Sequence, residues 1–295
     1  FKVSKHKLFK QAVDLINLSI QKNHKIIICG DYDADGICST TILYRTLKKL
    51  NANVGYYIPN RFKEGYGLND NTVRLALDKG YDLFIMVDNG VSADSSLKLI
   101  KEANKTSIIL DHHSYEGEVI CDCLVHPNLL DEDYHDMCGS GLAYNLSEQL
   151  MGYDAFNVSL AAIATIADLM PLWGFNRACV IQGLKEINNH QTPVLLNLLN
   201  EKSNYNETDI AFQLVPKLNA VGRLADIIDV NQVVKYLCLD NTSSIDAFSK
   251  EMIKINDLRK EINQKMYVKA LELIDESDVS VLYDESFHEG IVGIT

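Results

Sequence analysis

Short apolar runs bounded by polar clusters recur through the first 125 residues. KIIIC (25–29), NVGYYI (53–58), LFIMVD (83–88), TSIIL (106–110) and the shorter CLVHP (123–127) have the length and β-branched content of buried strands. Between them lie segments of helical period, STTILYRTLKKL and NTVRLALDKG, the second closing on Gly80 as a helix terminator. This alternation predicts an α/β fold: a parallel sheet with helices on both faces. From residue 139 to about 240 the pattern turns helical, with GSGLAYNLSEQL and the strongly apolar SLAAIATIADLMPL. Residues 242–275 read as one long helix, with Ile245, Phe248, Met252, Ile255, Ile262 and Met266 near one face and Thr242 or Ser243 as its cap. DVSVLYDE after it would open a second α/β domain. The expected division is therefore residues 1–241, a connecting helix 242–276, and the truncated start of a further domain at 277–295.

In doubly wound sheets, ligands bind beyond the carboxyl ends of the strands. GDYDADG follows the first strand, PNRFKEGYG the second, DNGVS the third and DHH the fourth, so four polar clusters converge on one edge. They bring together Asp31, Asp33, Asp35, Asp88, Asp111, His112 and His113. Asp168, an acid inside the apolar run AAIATIADLMPL, joins them, because a buried carboxylate is costly without a partner. Carboxylate oxygens with one or two imidazoles suit Mn²⁺, Mg²⁺ or Fe²⁺. Two such ions roughly 3.5–4 Å apart can clamp a phosphate and activate a water. Singly, each cluster has a plainer reading: DYDADG and DNG as turns, the histidines as one packed and one exposed ring, Asp168 as a helix cap. A calcium loop is disfavoured because Ile42 stands where the bidentate Glu belongs. The convergence of all four strand ends favours a metal site.

Composition narrows the class. With 295 residues and 47% hydrophobic content the chain has material for a sizeable core, which excludes disorder as a whole. It lacks a long apolar span or signal-like start, so a cytoplasmic protein without a membrane partner is expected. Cys29, Cys38, Cys121, Cys123, Cys138, Cys179 and Cys238 contain no CxxC pair and suggest neither a disulfide framework nor a zinc knuckle. A net charge of −12 argues against a surface that draws polyanions unaided, although cations among the acids would offset part of it. The chain opens in a helical pattern without Met and stops at HEGIVGIT, so a piece of a longer protein is expected.

DYDADG, VDNG, DHH and ATIADLMPL occur in the order of the four motifs of the DHH phosphoesterase superfamily, which the chain resembles. Within it, IPNRFKEGYGL, HPN followed by CGSGLAY, PKLNAVGRL and FHEGIVGI are similar to segments of the RecJ single-strand-specific exonucleases. The resemblance implies two divalent cations, manganese first and magnesium as the alternative. Asp33 would serve one ion and Asp35 the other, Asp88 would bridge them, and His112 and Asp168 would complete the set of ligands around the second ion. Asp31 would be a ligand or a supporting acid. Asp111 would orient the histidines, and His113 would face the scissile phosphate; Asp88, His113 and Asp111 are the implied catalytic set. Arg61 would hold the 5′ phosphate, its plainer reading being a surface pair with Glu64. Arg223 and His288 would contact phosphate or substrate, and Tyr66 would stack on a base or simply pack. Cys29 stands where many superfamily members carry a histidine ligand.

The implied function is a 5′-to-3′ exonuclease on single-stranded DNA that releases 5′-mononucleotides in repair and recombination, with a helicase and a single-strand-binding protein as further partners. The rivals are a phosphatase on the same scaffold, acting on short oligoribonucleotides or small phosphates, and a binding module without catalysis. Removing Asp35 or Asp168 is expected to abolish turnover yet leave the metal-free fold intact or more stable, because one repelling charge is gone.

Overall fold

The structure, a computed structural model, describes residues 2–190, 192–274 and 279–295. After α1 (Lys7–Gln21) the chain alternates β1 (Lys25–Cys29), α2 (Ala34–Lys49), β2 (Asn53–Tyr57), α3 (Asp70–Asp78), β3 (Leu83–Val87), α4 (Asp94–Glu102), β4 (Thr106–Leu110) and β5 (Cys123–Val125). The strands form one parallel sheet in the order β2-β1-β3-β4-β5, as the alternating pattern requires. The order reverses beside β1, which makes the crevice between the carboxyl ends of β1 and β3 the switch point where such sheets bind ligands.

Strand residues alternate between two apolar layers. Ile26 and Ile28 face the layer that holds Phe9 and Ile16 of α1 and Ile37 and Ile42 of α2. Ile27 and Cys29 face the layer that holds Val73 and Ala76 of α3 and Leu97 and Ile100 of α4. Helices therefore cover both faces. The predicted terminator holds: Gly80 sits at φ 76°, donating its N–H to the Leu77 carbonyl. CLVHP is shorter than expected because Pro127, which has no N–H, ends the ladder and His126 Nδ1 accepts from Asn128 N at 3.2 Å.

The second half is helical: α5 (Gly139–Met151), α6 (Ala155–Ala167), α7 (Gly174–His190), α8 (Pro193–Leu196), α9 (Glu207–Asp209), a π-helical turn (Ile210–Leu214), α10 (Val215–Arg223), α11 (Asn231–Leu237) and α12 (Thr242–Leu273). The wide π turn adjoins Pro216, which cannot donate a helical hydrogen bond. α12 carries the expected apolar face, with Ile245, Met252, Ile255 and Met266 buried and Phe248 and Ile262 packed against the core. Its cap differs from the expectation: Asn241 accepts from Ser244 N at 3.1 Å, so Thr242 is already helical. The end of the predicted helix and the domain boundary at 276/277 lie outside the described residues. Residues 279–284, where a strand is expected, lie outside the described strands. No described helix is long and apolar enough to cross a membrane.

Candidate metal centre

Beyond Cys29 the chain turns at once into α2, so the acids of DYDADG sit on a turn and a helix start rather than a solvated loop. Asp33 is the N-cap of α2, accepting from Asp35 N at 2.9 Å and Gly36 N at 3.0 Å. Asp35, the second residue of α2, is buried, and its two oxygens each accept at 2.7 Å, from Gly139 N and Ser140 N at the start of α5. A second helix N-terminus thus donates to the same acid. Glycine is required at 139: a Cβ there would stand 2.7 Å from that of Asp88 and 3.0 Å from Asp35 Oδ2. Asp31 is buried, and its Oδ1 has no hydrogen-bond partner.

Asp88, at the end of β3, adopts a left-handed backbone (φ 59°), uncommon for a residue with a Cβ and characteristic of functional sites. Its carbonyl accepts from the Tyr66 hydroxyl at 3.0 Å. The next residue, Asn89, locks this turn by donating to the carbonyls of Cys29 and Val87 and accepting from Leu68 N. From the end of β4, Asp111 accepts from Val91 N and from the backbone of both histidines, and lies 2.7 Å from His113 Nδ1.

The clusters meet at His112. Its Nε2 lies 3.1 Å from Asp88 Oδ1, 3.4 Å from Asp168 Oδ2 and 3.7 Å from Asp35 Oδ2. Three overlapping groups emerge, each compact enough for one cation: Asp31, Asp33 and Asp88; Asp35, His112 and Asp168; and Asp88, His112 and His113. Asp168 is the C-cap of α6 and partly exposed, not embedded as the apolar run suggested. The negative end of a helix is a poor place for a carboxylate without a cation.

The electrostatics agree with the geometry. Burial first, and Asp33 second, push Asp31 up to about 8. Burial, then Asp35 and Asp33, push Asp168 up to about 7. Burial and Asp35 also raise Asp33, and burial with four surrounding acids holds Asp88 well above the ordinary range. Asp111 is the exception: burial would raise it, but the His113 hydrogen bond and Val91 N outweigh that and keep it low, while raising His113 in turn. The raised acids, the unpaired Asp31 Oδ1 and a hard donor set with one central imidazole fit divalent cations.

Beside the acids, Arg61 lies 4.8 Å over the Tyr32 ring, while Glu64 is taken by the Tyr57 hydroxyl and Asn60 N, so the surface pair does not form. Arg61 and Arg223 line a cavity of about 320 Å³ with Tyr32, Asp33, Ala167, Asn219 and Gly222. The NAVGRL segment braces the acidic turn directly. Asn219 accepts from Ala34 N at 2.8 Å, and Gly222 packs so closely that a Cβ would meet the Tyr32 carbonyl at 2.2 Å. FHEGIVG closes on the same helix: Gly290 accepts from Arg223 at 3.3 Å, and His288 stands edge-on to Phe62 with Nε2 3.5 Å from Asp226. His288 therefore belongs to the wall behind Arg223, away from the acid cluster.

The sequence profile of the DHH family, N-terminal domain, matches residues 25–172. The chain belongs to the DHH family. As a DHH chain it is 35% identical to the single-stranded-DNA-specific exonuclease RecJ of Bacillus subtilis, over 97% of its length but 37% of that relative's. It is 33% identical to RecJ of Thermus thermophilus over 97% of this chain and 43% of the relative, so it spans about two fifths of each. Among solved structures it is similar to an exonuclease RecJ bound to manganese, with a TM-score of 0.89 and 30% identity over 100% of this chain and 76% of the other. A Thermus thermophilus RecJ in complex with Mn²⁺ gives 0.86 at 30% identity, covering 99% of this DHH chain and 44% of that one.

Within this DHH site the residues expected from the four strand ends and Asp168 do converge, whereas Arg61, Arg223 and His288 form an adjoining wall. Tyr66 bridges the two histidine-side features, its hydroxyl 3.2 Å from His113 Nε2. The Cys29 side chain faces the α3–α4 layer, and burial pushes its thiol up to about 12. Sequence reasoning missed Asn89, Asn219 and the N–H pair of Gly139 and Ser140. The GSG at 139–141 was the available signal for the last.

That N–H pair reverses one expectation. Asp35→Ala leaves two buried donors without an acceptor, so the metal-free protein should be destabilised by about 3 kcal/mol, whereas Asp168→Asn, which only removes a charge from a helix C-terminus, should stabilise it by about 1 kcal/mol. Thermal melts in chelator check the opposite signs; equal shifts would contradict them. A pH series offers a second check. Asp31 and Asp168 titrate near 8 and 7 when folded but near 4 when unfolded. Their stabilising contribution is therefore full below the unfolded value and lost as pH rises through 7–8, and His113, also raised, adds a contribution of the same sign that is lost as pH rises. The metal-free protein should melt higher at about pH 5.5 than at about pH 8.5, and saturating manganese should narrow the gap. A metal-free melting temperature that rises with pH over this window would contradict the assignment.

Proposed function

We propose that this chain carries the hydrolytic centre of a 5′-to-3′ exonuclease that acts on single-stranded DNA and releases 5′-mononucleotides in DNA repair and recombination. The observation that carries the reading is the junction at Asp33, where the acid cluster and the Arg61–Arg223 cavity share a wall. A site for cations at a scissile phosphate thus adjoins a guanidinium pair suited to a terminal phosphate. The names of the relatives and the manganese in similar structures support it.

Asp31, Asp33 and Asp88 would hold one divalent cation and Asp35, His112 and Asp168 a second, with Asp88 reaching both; manganese is the first choice and magnesium the alternative. When bound, such cations supply charge neutralisation at the phosphate and acidify a water. The chain's own residues do the rest. Asp111 fixes His113 toward the substrate side and favours its protonated form, in which the ring can present a donor to the scissile phosphate. Tyr66 holds His113 and the strained turn at Asp88 together. Arg61, flattened against Tyr32, and Arg223 take the 5′ phosphate and set which bond reaches the acids. His288 supports Arg223 through the Gly290 segment rather than touching substrate.

The division into a catalytic unit at 1–241, a connecting helix at 242–276 and the start of another domain at 277–295 belongs to the same reading. So do a cytoplasmic location and action beside a helicase and a single-strand-binding protein.

End-labelled oligonucleotides test the proposal. With manganese, a 5′-phosphorylated single strand should lose mononucleotides from its 5′ end, and Asp88→Asn should reduce the rate by at least about 10³-fold. Arg61→Ala should raise KM about tenfold or more for 5′-phosphorylated ends and much less for 5′-hydroxyl ends. Release from the 3′ end, or hydrolysis of pyrophosphate and short RNA alone, would overturn the proposal in favour of a different enzyme on the same scaffold.

A further inference from the structure

Most helices in the sheet half of this chain end alike. α1, α2 and α4 are followed by Asn23, Asn51 and Asn104 and α3 by Gly80, all with left-handed backbones at φ 52–76°. These are the two residue types that tolerate that conformation. α6 ends in the same geometry, with Leu169 N donating to the Ile166 carbonyl at 3.2 Å and Met170 N to Thr165 at 3.1 Å. Here, however, the left-handed position (φ 54°) holds a leucine whose surface is 87% exposed. The choice is unfavourable twice over: the Cβ strains the backbone, and the side chain gains nothing from burial. Among the described residues the left-handed non-glycine positions are the three asparagines, Leu169 and Asp88, and Asp88 is in the acid cluster. Strain of this kind gathers at functional sites.

The surroundings indicate what Leu169 meets. It directly follows Asp168, whose carboxylate is 3.4 Å from His112. Leu172 and Trp173, further along the same loop, are 42% and 64% exposed. The loop is fastened rather than collapsed: Asn176 donates to the Pro171 carbonyl and the Trp173 indole N–H to Asp136. An exposed apolar loop that starts next to an acid of a cluster suited to phosphate matches a ligand with an anionic backbone and flat apolar faces.

We propose that Leu169 is a substrate-contact residue whose side chain packs on the nucleobase adjoining the scissile phosphate, with Leu172 and Trp173 extending that surface. The proposal deepens the exonuclease reading above and rests on it.

The test is Leu169→Gly in the manganese-loaded protein, with Leu169→Met as the apolar control. Glycine relieves the strain, so the melting temperature should rise by about 2 °C. KM for a 5′-phosphorylated single strand should nevertheless rise about fivefold with kcat nearly unchanged, and Leu169→Met should keep the parent KM. On an oligonucleotide whose first two 5′ nucleotides are abasic, parent and glycine variant should have the same KM. An unchanged KM on the normal strand overturns the proposal. An equal loss on normal and abasic strands also overturns it, because Leu169 would then act only by placing Asp168. If the parent protein cleaves no oligonucleotide, the exonuclease reading fails and this inference falls with it.

Discussion

Asp35, Asp88 and Asp168 crowd around His112, and Asp31 and Asp33 around Asp88, at the switch point of a parallel sheet, and everything near them is arranged to tolerate that crowding. Two helix N-termini offer N–H groups to Asp33 and Asp35. Asp111 is separately satisfied by Val91 N and His113. What stays unrelieved shows in Asp31, Asp88 and Asp168, whose carboxyls are pushed upward chiefly by burial and then by neighbouring acids, Asp33 among them in each case. The fold supplies about as much compensation as backbone dipoles can give, and the remainder calls for cations.

The same constraint explains the close-packed shell. Gly139, Gly222 and Gly290 each sit where a Cβ would strike a neighbour at under 3 Å, so α5, α10 and the 287–293 segment can press directly on the acidic turn, the Tyr32 carbonyl and the Arg223 backbone. Asn89 ties the ends of β1 and β3 together, which fixes Asp88 relative to Asp31 and Asp33. A site whose charges repel must be held by contacts of this kind, because in the absence of cations its own electrostatics would open it.

Much of this was legible in the residue pattern. The strands KIIIC and TSIIL match their predicted bounds, because apolar runs closed by a charged or glycine turn leave little freedom in a buried parallel sheet. The acids at the strand ends followed from topology alone. What could not be read was local competition between partners. The cap of α12 lies on Asn241, one residue before the serine and threonine that looked suited to it. Asp168 ends a helix instead of lying within one, and Arg61 chose the Tyr32 face over Glu64. The role of Asp35 as acceptor for α5 joins residues more than 100 positions apart, beyond any periodicity. Cys29, at the end of β1, packs its side chain into the α3–α4 layer, a choice of face that the motif alone did not reveal.

The central claim is that the cluster is a cation cage whose upward-shifted acids, Asp31 and Asp168 among them, release protons when cations bind. Calorimetric titration with manganese near neutral pH, repeated in buffers of different ionisation enthalpy, measures binding and proton release together. The account predicts saturable binding of two ions, abolished by Asp88→Asn, with release of at least one proton per protein. Absence of binding, or binding without proton release, would contradict it.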